Sequence, residues 1–389
     1  MRRQALQAAA RSHATLIECA LVLLVAGGAL WGVARWIGTP ALELALGPGE
    51  VPACEVPVDS RAVAWRPVLF EGVFRDAPTS VDGEIDRWTR TFAGSFGPSF
   101  RTFLGRTGLY ESMVLDALRK YEVPEDFLYL AVIESGMDPH AYSHAHAVGM
   151  WQFISSTARS EGLEVGWSVD ERRDPVAATD AAARHLTDLY GTFGDWALAA
   201  AAYNAGEYRV KSARRRAGGD AGFWELAERR LLPPETRAYV PKLVAAARVG
   251  RDPLGTGLGF VPQETALEWR DIEVGPASRL GAIARAAGVS PDRVRSLNPH
   301  LRQDITAPLG ATSTVRLPVE AASGFEARWA QLPESERRGS VVHVVQARET
   351  LGRIADSYGV SVDLLLDVNP VDPRRLRPGQ ELTVPMGSL

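Results

Sequence analysis

One carboxylate follows an apolar stretch of the sequence and is a candidate catalytic group. Residues 127–133 read FLYLAVI and contain no cation, and Glu134 comes directly after them. A carboxylate is costly to bury without a partner, so Glu134 either lies at the wet end of a helix or is used in chemistry. Partial burial would raise its pKa and leave it protonated, as a general acid requires. The sequence therefore predicts a proton donor at this position.

A short helix is predicted to carry this acid. Pro124 suits the first helical position and Gly136 suits the stop. Glu134 lies four residues after Leu130 and therefore shares its face of the helix. That face is apolar and points inward.

Polar residues after the acid have both a structural and a functional interpretation. Ser135 could cap the end of the helix or position Glu134. Gln152 has an amide that can both donate and accept hydrogen bonds to a polar substrate, whereas Trp151 could be core or a stacking platform. Tyr203 and Asn204 end an Ala-rich helix, where Asn is also a common stop residue.

Three other features compete for the chemistry. The histidines of the loop DPHAYSHAHAV (138–148) suggest a metal, but the loop offers no acid except Asp138, so no metal and no cofactor are predicted. Asp138 could be the second carboxylate of a hydrolase or could cap the loop after Gly136. Glu207 is predicted to open a solvated helix.

Composition and charge exclude some partners. The chain of 389 residues is 46% hydrophobic, which is enough for two or three domains. A formal net charge of −4 provides no basic field for nucleic acid, so no nucleic-acid partner is expected. Cys19 and Cys54 are too few for a disulfide framework.

The N-terminal region predicts export and a membrane anchor. Residues 19–34 read CALVLLVAGGALWGVA, and the apolar segment extends over 16–37, about the 20 residues that a bilayer span needs. Arginines precede it, so residues 1–15 are predicted to be a cytoplasmic tail and the rest of the chain periplasmic, anchored in the inner membrane. A cleaved signal peptide is the alternative.

The rest of the chain divides by composition and contains a repeat. The segment 280–299 (LGAIARAAGVSPDRVRSLNP) matches 351–370 (LGRIADSYGVSVDLLLDVNP) at ten of twenty positions, and short strand-like pieces flank each copy. The order strand, helix, helix, strand predicts two βααβ modules. The predicted organisation is a Pro- and Gly-rich linker (38–80), a helical catalytic domain (81–255), a first module (263–320), a linker (321–338) and a second module (339–386).

The second module contains several anchor segments at characteristic spacing, which are His343–Val345, Glu349–Leu351, Ile354–Ala355, Tyr358–Ser361, Asn369–Pro370 and Leu376–Gln380. In these segments it resembles a LysM domain, a small βααβ unit that binds glycans containing N-acetylglucosamine. The resemblance implies glycan contacts at Thr350, Leu351, Gly352, Asn369 and Pro370. The first module lacks the Pro-Gly-Gln turn and the Thr-Leu start, so we expect a degenerate LysM-like module that binds glycan poorly.

The helical domain contains a set of short motifs, which are Glu134-Ser135, GMWQF (149–153), VDERRDP (169–175), AYNAG (202–206) and LPPETRAYVPKL (232–243). In these motifs it resembles the catalytic domain of lytic transglycosylases of the membrane-bound murein type D group. Met150 replaces a Leu and Asp138 a usual Asn of that family. The resemblance implies a mostly helical, lysozyme-like fold, so the predicted class is α+β multidomain. It also implies that Glu134 is catalytic and that substrate contacts lie at Ser135, Met150, Gln152, Tyr203, Asn204 and Tyr239.

The resemblance also explains how one acid could suffice where most glycosidases use two carboxylates. Glu134 would protonate the glycosidic oxygen between N-acetylmuramic acid and N-acetylglucosamine, then remove the proton of the muramic C6 hydroxyl, which leaves a 1,6-anhydro ring. The substrate's N-acetyl group would stabilise the positive centre. A hydrolytic muramidase and a non-catalytic wall-binding scaffold are the alternatives. Internal or terminal cleavage, protein partners and oligomeric state do not follow from the sequence.

Overall fold

The structure is a computed structural model that describes residues 82–308 and 312–386. The predicted membrane segment 16–37 and the whole linker 38–80 lie outside the described residues, so the predicted N-terminal helix is not tested. Within the two described ranges, no helix is both long enough and apolar enough to cross a bilayer.

Residues 82–251 form the predicted helical domain. Two 3₁₀ turns, at Glu125–Phe127 and at Glu171–Arg173, lie between its α-helices. The α-helices are α1 (Asp82–Ala93), α2 (Gly97–Lys120), α3 (Leu128–Ser135), α4 (Ser155–Ser160), α5 (Pro175–Phe193), α6 (Trp196–Ala205), α7 (Glu207–Ala217), α8 (Phe223–Glu228) and α9 (Pro234–Arg251).

Local sequence explains where these helices start and stop. Asp174 accepts hydrogen bonds from the first free backbone N–H groups of α5, and Pro175 is its first residue. Gly136 ends α3 in the left-handed conformation, as predicted. The prediction for Pro124 is wrong by a turn: its ψ of 136° is extended, and a 3₁₀ turn separates it from α3.

The core of this domain depends on small side chains. Ala199, Ala200 and Ala201 of α6 are fully buried, and so are Ala245 and Ala246 of α9. Alanine lets two helices approach closely, and α6 packs directly on α9. The two helices carry Tyr203, Asn204 and Tyr239, so this packing brings the predicted site residues of both together.

Two small strand pairs follow, in the predicted order strand, helix, helix, strand. In the first module β1 (Trp269–Val274) pairs antiparallel with β2 (Ser313–Pro318), and α10 (Leu280–Ala287) and α11 (Pro291–Leu297) lie between them in sequence. The second module repeats this with β3 (Ser340–Val344), α15 (Leu351–Tyr358), α16 (Val362–Val368) and β4 (Glu381–Pro385).

Three short helices occupy the region between the modules, which was predicted to be a helical or loose linker. They are α12 (Val319–Ala322), α13 (Phe325–Gln331) and α14 (Glu334–Arg337). Phe325 is only 1% exposed because α13 packs on α10 of the first module. This region is therefore helical and part of the first module's core.

Candidate active site

Glu134 is held at the last turn of α3 by a tyrosine from α9. The hydroxyl of Tyr239 donates a hydrogen bond of 2.5 Å to Glu134 Oε1, across 105 residues of sequence. Glu134 is half-buried and Tyr239 is buried. A single carboxylate is thus fixed at the end of an apolar helix with part of its side chain still accessible.

Several groups act on the pKa of Glu134. Burial raises it, the hydrogen bond from Tyr239 and the positive charge of Lys242 lower it, and the negative charge of Glu235 raises it again. The net effect is a pKa above the ordinary value for glutamate. A larger fraction of the carboxyl is therefore protonated at a given pH, which suits a proton donor.

The VDERRDP segment (169–175) contacts the GMWQF loop (149–153) and holds it in place. Gly149 has a φ of 82°, and a Cβ there would lie 1.8 Å from the carbonyl oxygen of Arg172, so only glycine fits. The guanidinium of Arg172 donates to the carbonyls of His146 (3.1 Å) and Phe153 (3.3 Å). Asp170 holds that guanidinium with two bonds of 2.9 Å.

Ser135 connects the end of α3 to this loop. Its hydroxyl lies 2.8 Å from the carbonyl oxygen of Met150 and 3.2 Å from that of Ala131, and it accepts a bond from the N–H of Asp138 (3.1 Å). Met150 is only 1% exposed. The structure therefore places the Met150 side chain in the core, and its carbonyl accepts the bond from Ser135.

Gln152 and Trp151 differ in their surroundings although they are adjacent. Gln152 is half-buried with a φ of 51°, and its amide donates to the carbonyl of Gly149 (2.8 Å). Trp151 is fully buried, and its indole N–H donates to the Thr179 hydroxyl (2.8 Å). Trp151 is therefore a core residue, which decides between its two interpretations.

The AYNAG motif joins the loop to α9. The hydroxyl of Tyr203 donates to the carbonyl of Trp151 (2.7 Å), and burial, followed by the negative charge of Glu134, raises its pKa well above the ordinary value. Asn204 accepts a bond of 2.9 Å from the hydroxyl of Thr236 in α9. Tyr203 and Asn204 are both half-buried, and Tyr203 is near enough to Glu134 for that carboxylate's charge to raise its pKa.

Lys242 and Glu235 are near the acid but were not singled out from the sequence. Lys242 is three residues after Tyr239 on α9, so helical spacing could have found it. Burial lowers the pKa of Lys242, and the negative charges of Glu134 and Glu235 oppose that effect. Glu235 is exposed.

The competing residues have other partners. The Asp138 carboxylate accepts a bond from the N–H of His140 (2.8 Å) and lies 3.9 Å from Arg106, so it caps the loop, one of its two predicted roles. Glu207 is the first residue of α7 and pairs with Lys211 on an exposed face, as predicted. Among residues 82–308 and 312–386, no group of three or more His, Cys, Asp or Glu side chains could hold a metal ion.

In the second module the predicted glycan contacts divide into exposed and interior residues. Thr350 caps α15 and is exposed, Pro370 is exposed and Gly352 is half-buried. Leu351 is 3% exposed in the module's core. Asn369 is 5% exposed, and its amide makes three bonds to backbone groups, so its side chain joins α16 to β4.

Comparisons with protein families agree with the predicted order of domains. Residues 112–224 match the Transglycosylase SLT domain, and residues 343–385 match the LysM domain. Residues 268–334 match a family described as the LysM-like domain of lytic transglycosylase MltD. The predicted resemblance is confirmed: a transglycosylase SLT domain is followed by two LysM-type domains.

Parts of this chain are also similar to individual proteins and to a solved structure. Membrane-bound lytic murein transglycosylase D of Escherichia coli is 30% identical over 292 residues, which are 72% of this chain and 64% of that protein. A peptidoglycan transglycosylase of Escherichia phage T7 is 36% identical over 121 residues, 31% of this chain and 9% of that protein. The structure of the 70 kDa soluble lytic transglycosylase of Escherichia coli matches with 26% identity and a TM-score of 0.31, over 37% of this chain and 25% of that one.

Proposed function

We propose that this chain, with its transglycosylase SLT domain and two LysM-type domains, is a peptidoglycan lytic transglycosylase. It cleaves the β-1,4 bond between N-acetylmuramic acid and N-acetylglucosamine without water and leaves a 1,6-anhydro end. The observation that carries this proposal is the half-buried Glu134, which has a raised pKa and accepts a 2.5 Å hydrogen bond from Tyr239.

In the first step Glu134 is the general acid. Its raised pKa keeps the proton available, and the carboxyl donates that proton to the glycosidic oxygen as the bond to the muramic C1 breaks. The substrate's N-acetyl group stabilises the positive charge that develops at C1. The resulting Glu134 carboxylate is stabilised by the hydrogen bond from Tyr239 and by the charge of Lys242.

In the second step the same residue is the base. The Glu134 carboxylate takes the proton of the C6 hydroxyl, the oxygen attacks C1 of the same sugar, and the ring closes. The carboxyl is protonated again, so the cycle needs no second carboxylate and no cofactor. Gln152, Tyr203 and Asn204 bind the sugar, while Ser135 and Met150 hold the loop next to the acid.

The rest of the chain serves to bring this site to the wall. We assign residues 81–255 to the catalytic domain, 263–320 to the degenerate module, 321–338 to a helical linker that packs on that module, and 339–386 to the LysM domain. The second module binds glycan through the exposed loops at Thr350 and Pro370. Residues 16–37 anchor the chain in the inner membrane, with residues 1–15 cytoplasmic, residues 38–80 as linker and the remaining domains in the periplasm.

Mass spectrometry of digested murein tests the reaction. We expect muropeptides with 1,6-anhydro ends from the wild-type chain and none from a folded Glu134→Gln chain. Reducing ends would indicate a hydrolytic muramidase, in which Asp138 would have to activate water, although Asp138 is used as a loop cap. No cleavage by the folded wild-type chain would leave only a wall-binding role.

Sacculus binding tests the second module. Deleting residues 339–389 should weaken binding to intact sacculi and leave cleavage of short soluble glycans almost unchanged, because tethering acts through effective concentration. Unchanged sacculus binding after this deletion would contradict the glycan-binding role of the module.

A further inference from the structure

The first LysM-type module contacts the catalytic domain through the loop that follows α11. Residues 168–170 pair with residues 300–302 as a short antiparallel bridge, through two backbone hydrogen bonds of 2.9 Å. Val169 and Leu301 are 6% and 7% exposed and lie in the same apolar cluster as the module's core. The core of this module therefore includes a residue of the catalytic domain.

A buried group of charges lies beside this bridge. Arg316 of β2 donates through Nη2 to both carboxylate oxygens of Asp174, each at 2.9 Å, and His300 Nδ1 lies 3.1 Å from Asp174 Oδ2. Asp174 is 4% exposed and also caps the start of α5. A buried carboxylate needs such partners, because desolvation without them is costly.

Within the part of the chain that the structure describes, nothing covers the equivalent loop of the second module in this way. Asn298 and Asn369 make matching bonds: each accepts a 2.8 Å bond from a strand N–H, that of Arg316 in the first module and that of Thr383 in the second. By this match the loop 299–302 corresponds to 370–373. Residues 299–301 are buried, whereas 370, 372 and 373 are exposed.

The contacted segment of the catalytic domain also supports the active-site loop. Arg172 lies between the residues that meet the first module, and its guanidinium donates to the carbonyls of His146 and Phe153 at the two ends of that loop. Met150, within the loop, lies hydrogen-bonded to Ser135 beside Glu134. Hydrogen bonds and chain neighbours therefore connect Arg316, through the segment 168–174 and the loop 146–153, to Glu134.

We propose that the first LysM-type module is an intramolecular brace: it holds the segment 168–174 and so positions the loop 146–153 next to Glu134. Arg316 is the main positioning residue, because it is the module's charged contact with the buried Asp174. The surface that the second module leaves exposed is used here for the catalytic domain and is closed to a glycan strand. The turnover part of this proposal rests on the proposed transglycosylase function.

The test compares Arg316→Met with Thr383→Met in the full chain. Both substitutions keep the strand N–H that bonds to the asparagine, but only the first removes the contact with Asp174. For Arg316→Met we expect amide hydrogen exchange in 146–153 and 168–174 to be at least about tenfold faster. We also expect kcat on short soluble glycans to fall about tenfold, with a smaller change in KM.

Thr383→Met should leave both quantities at the wild-type values, and Arg316→Lys should restore part of each because it keeps the charge. The brace is refuted if Arg316→Met exchanges like the wild type, or if exchange rises and kcat is unchanged. If Arg316→Met does not fold, the same two measurements are made on Arg316→Lys. We expect its exchange rates and its kcat to lie between those of the wild type and those expected for Arg316→Met, and wild-type values of both would refute the brace. A wild-type chain without activity would refute the proposed transglycosylase function. The brace would still be tested, because the amide hydrogen exchange of 146–153 and 168–174 is measured without substrate.

Discussion

Two carboxylates of this chain have pKa values that are shifted in opposite directions by their surroundings. Glu134 has a neutral tyrosine as its hydrogen-bond partner, and burial raises its pKa. Asp174 is also buried, which by itself raises the pKa, but His300 and Arg316 outweigh this and hold the pKa below the ordinary value. A buried acid is therefore reactive or structural according to its partners, since a full positive charge stabilises the ionised form far more than a phenol does.

The largest expected effect comes from removing the reactive acid. Glu134→Gln keeps the side-chain volume and removes the transferable proton, so turnover on murein should fall at least about 100-fold. The control is Glu235→Gln, which removes an exposed carboxylate that acts on Glu134 only through its charge. Measured turnover should be largely retained in that control. Near-wild-type turnover by a folded Glu134→Gln chain would place the chemistry elsewhere.

Removing the structural acid should affect stability. Asp174→Asn can still cap α5 but no longer pairs with the charge of Arg316, so the free energy of unfolding should fall by about 2 kcal/mol. Asp195→Asn is the control, because Asp195 makes the same kind of two backbone bonds at the start of α6. Denaturant unfolding should show a change of only a few tenths of a kcal/mol there. Equal losses in both variants would mean that the ion pair contributes nothing.

The two acids should also give opposite signs in a stability comparison across pH. Glu134 has a raised pKa in the folded chain, so its contribution to stability is complete at low pH and is lost as pH rises through that pKa. Asp174 has a lowered pKa, so its contribution is present at neutral pH and is lost as pH falls through that pKa.

At neutral pH, thermal unfolding should therefore show Glu134→Gln as more stable than the wild type and Asp174→Asn as less stable. Both differences should shrink on acidification. A Glu134→Gln chain that is less stable than the wild type at neutral pH would contradict the raised pKa.

The smallest expected effect is a shift of the pH profile. Tyr239→Phe removes the hydrogen bond that lowers the pKa of Glu134, so that pKa should rise further. The high-pH limb of kcat/KM should then move to higher pH. Tyr203→Phe is the control, because Tyr203 donates to a backbone carbonyl and not to Glu134, and its limb should stay in place. A downward shift for Tyr239→Phe would show that this hydrogen bond favours the neutral carboxyl.

The sequence predicted the parts of the site that depend on local rules. Helical spacing and the Gly136 stop signal placed Glu134 at the end of α3, and the repeat predicted both βααβ modules. Contacts between distant segments were not accessible in this way. The pairing of Asp174 with Arg316 joins residues 142 apart, and no pattern within either segment specifies it.

The same limit explains the residues whose predicted roles changed. Met150, Leu351 and Asn369 occur within motifs, and a motif does not tell whether a side chain faces solvent or the core. For Lys242, the sequence places the residue on the same face of α9 as Tyr239. That its charge lowers the pKa of Glu134 follows only from the packing of α9 beside α3.

The most direct test of the central claim, that Glu134 alone performs both proton transfers without water, is digestion of murein by the wild-type chain in heavy-oxygen water. The account predicts 1,6-anhydro ends that contain no heavy oxygen, because the attacking oxygen comes from the sugar's own C6 hydroxyl. Reducing ends that carry the heavy oxygen at C1 would contradict it, because water would then be the nucleophile.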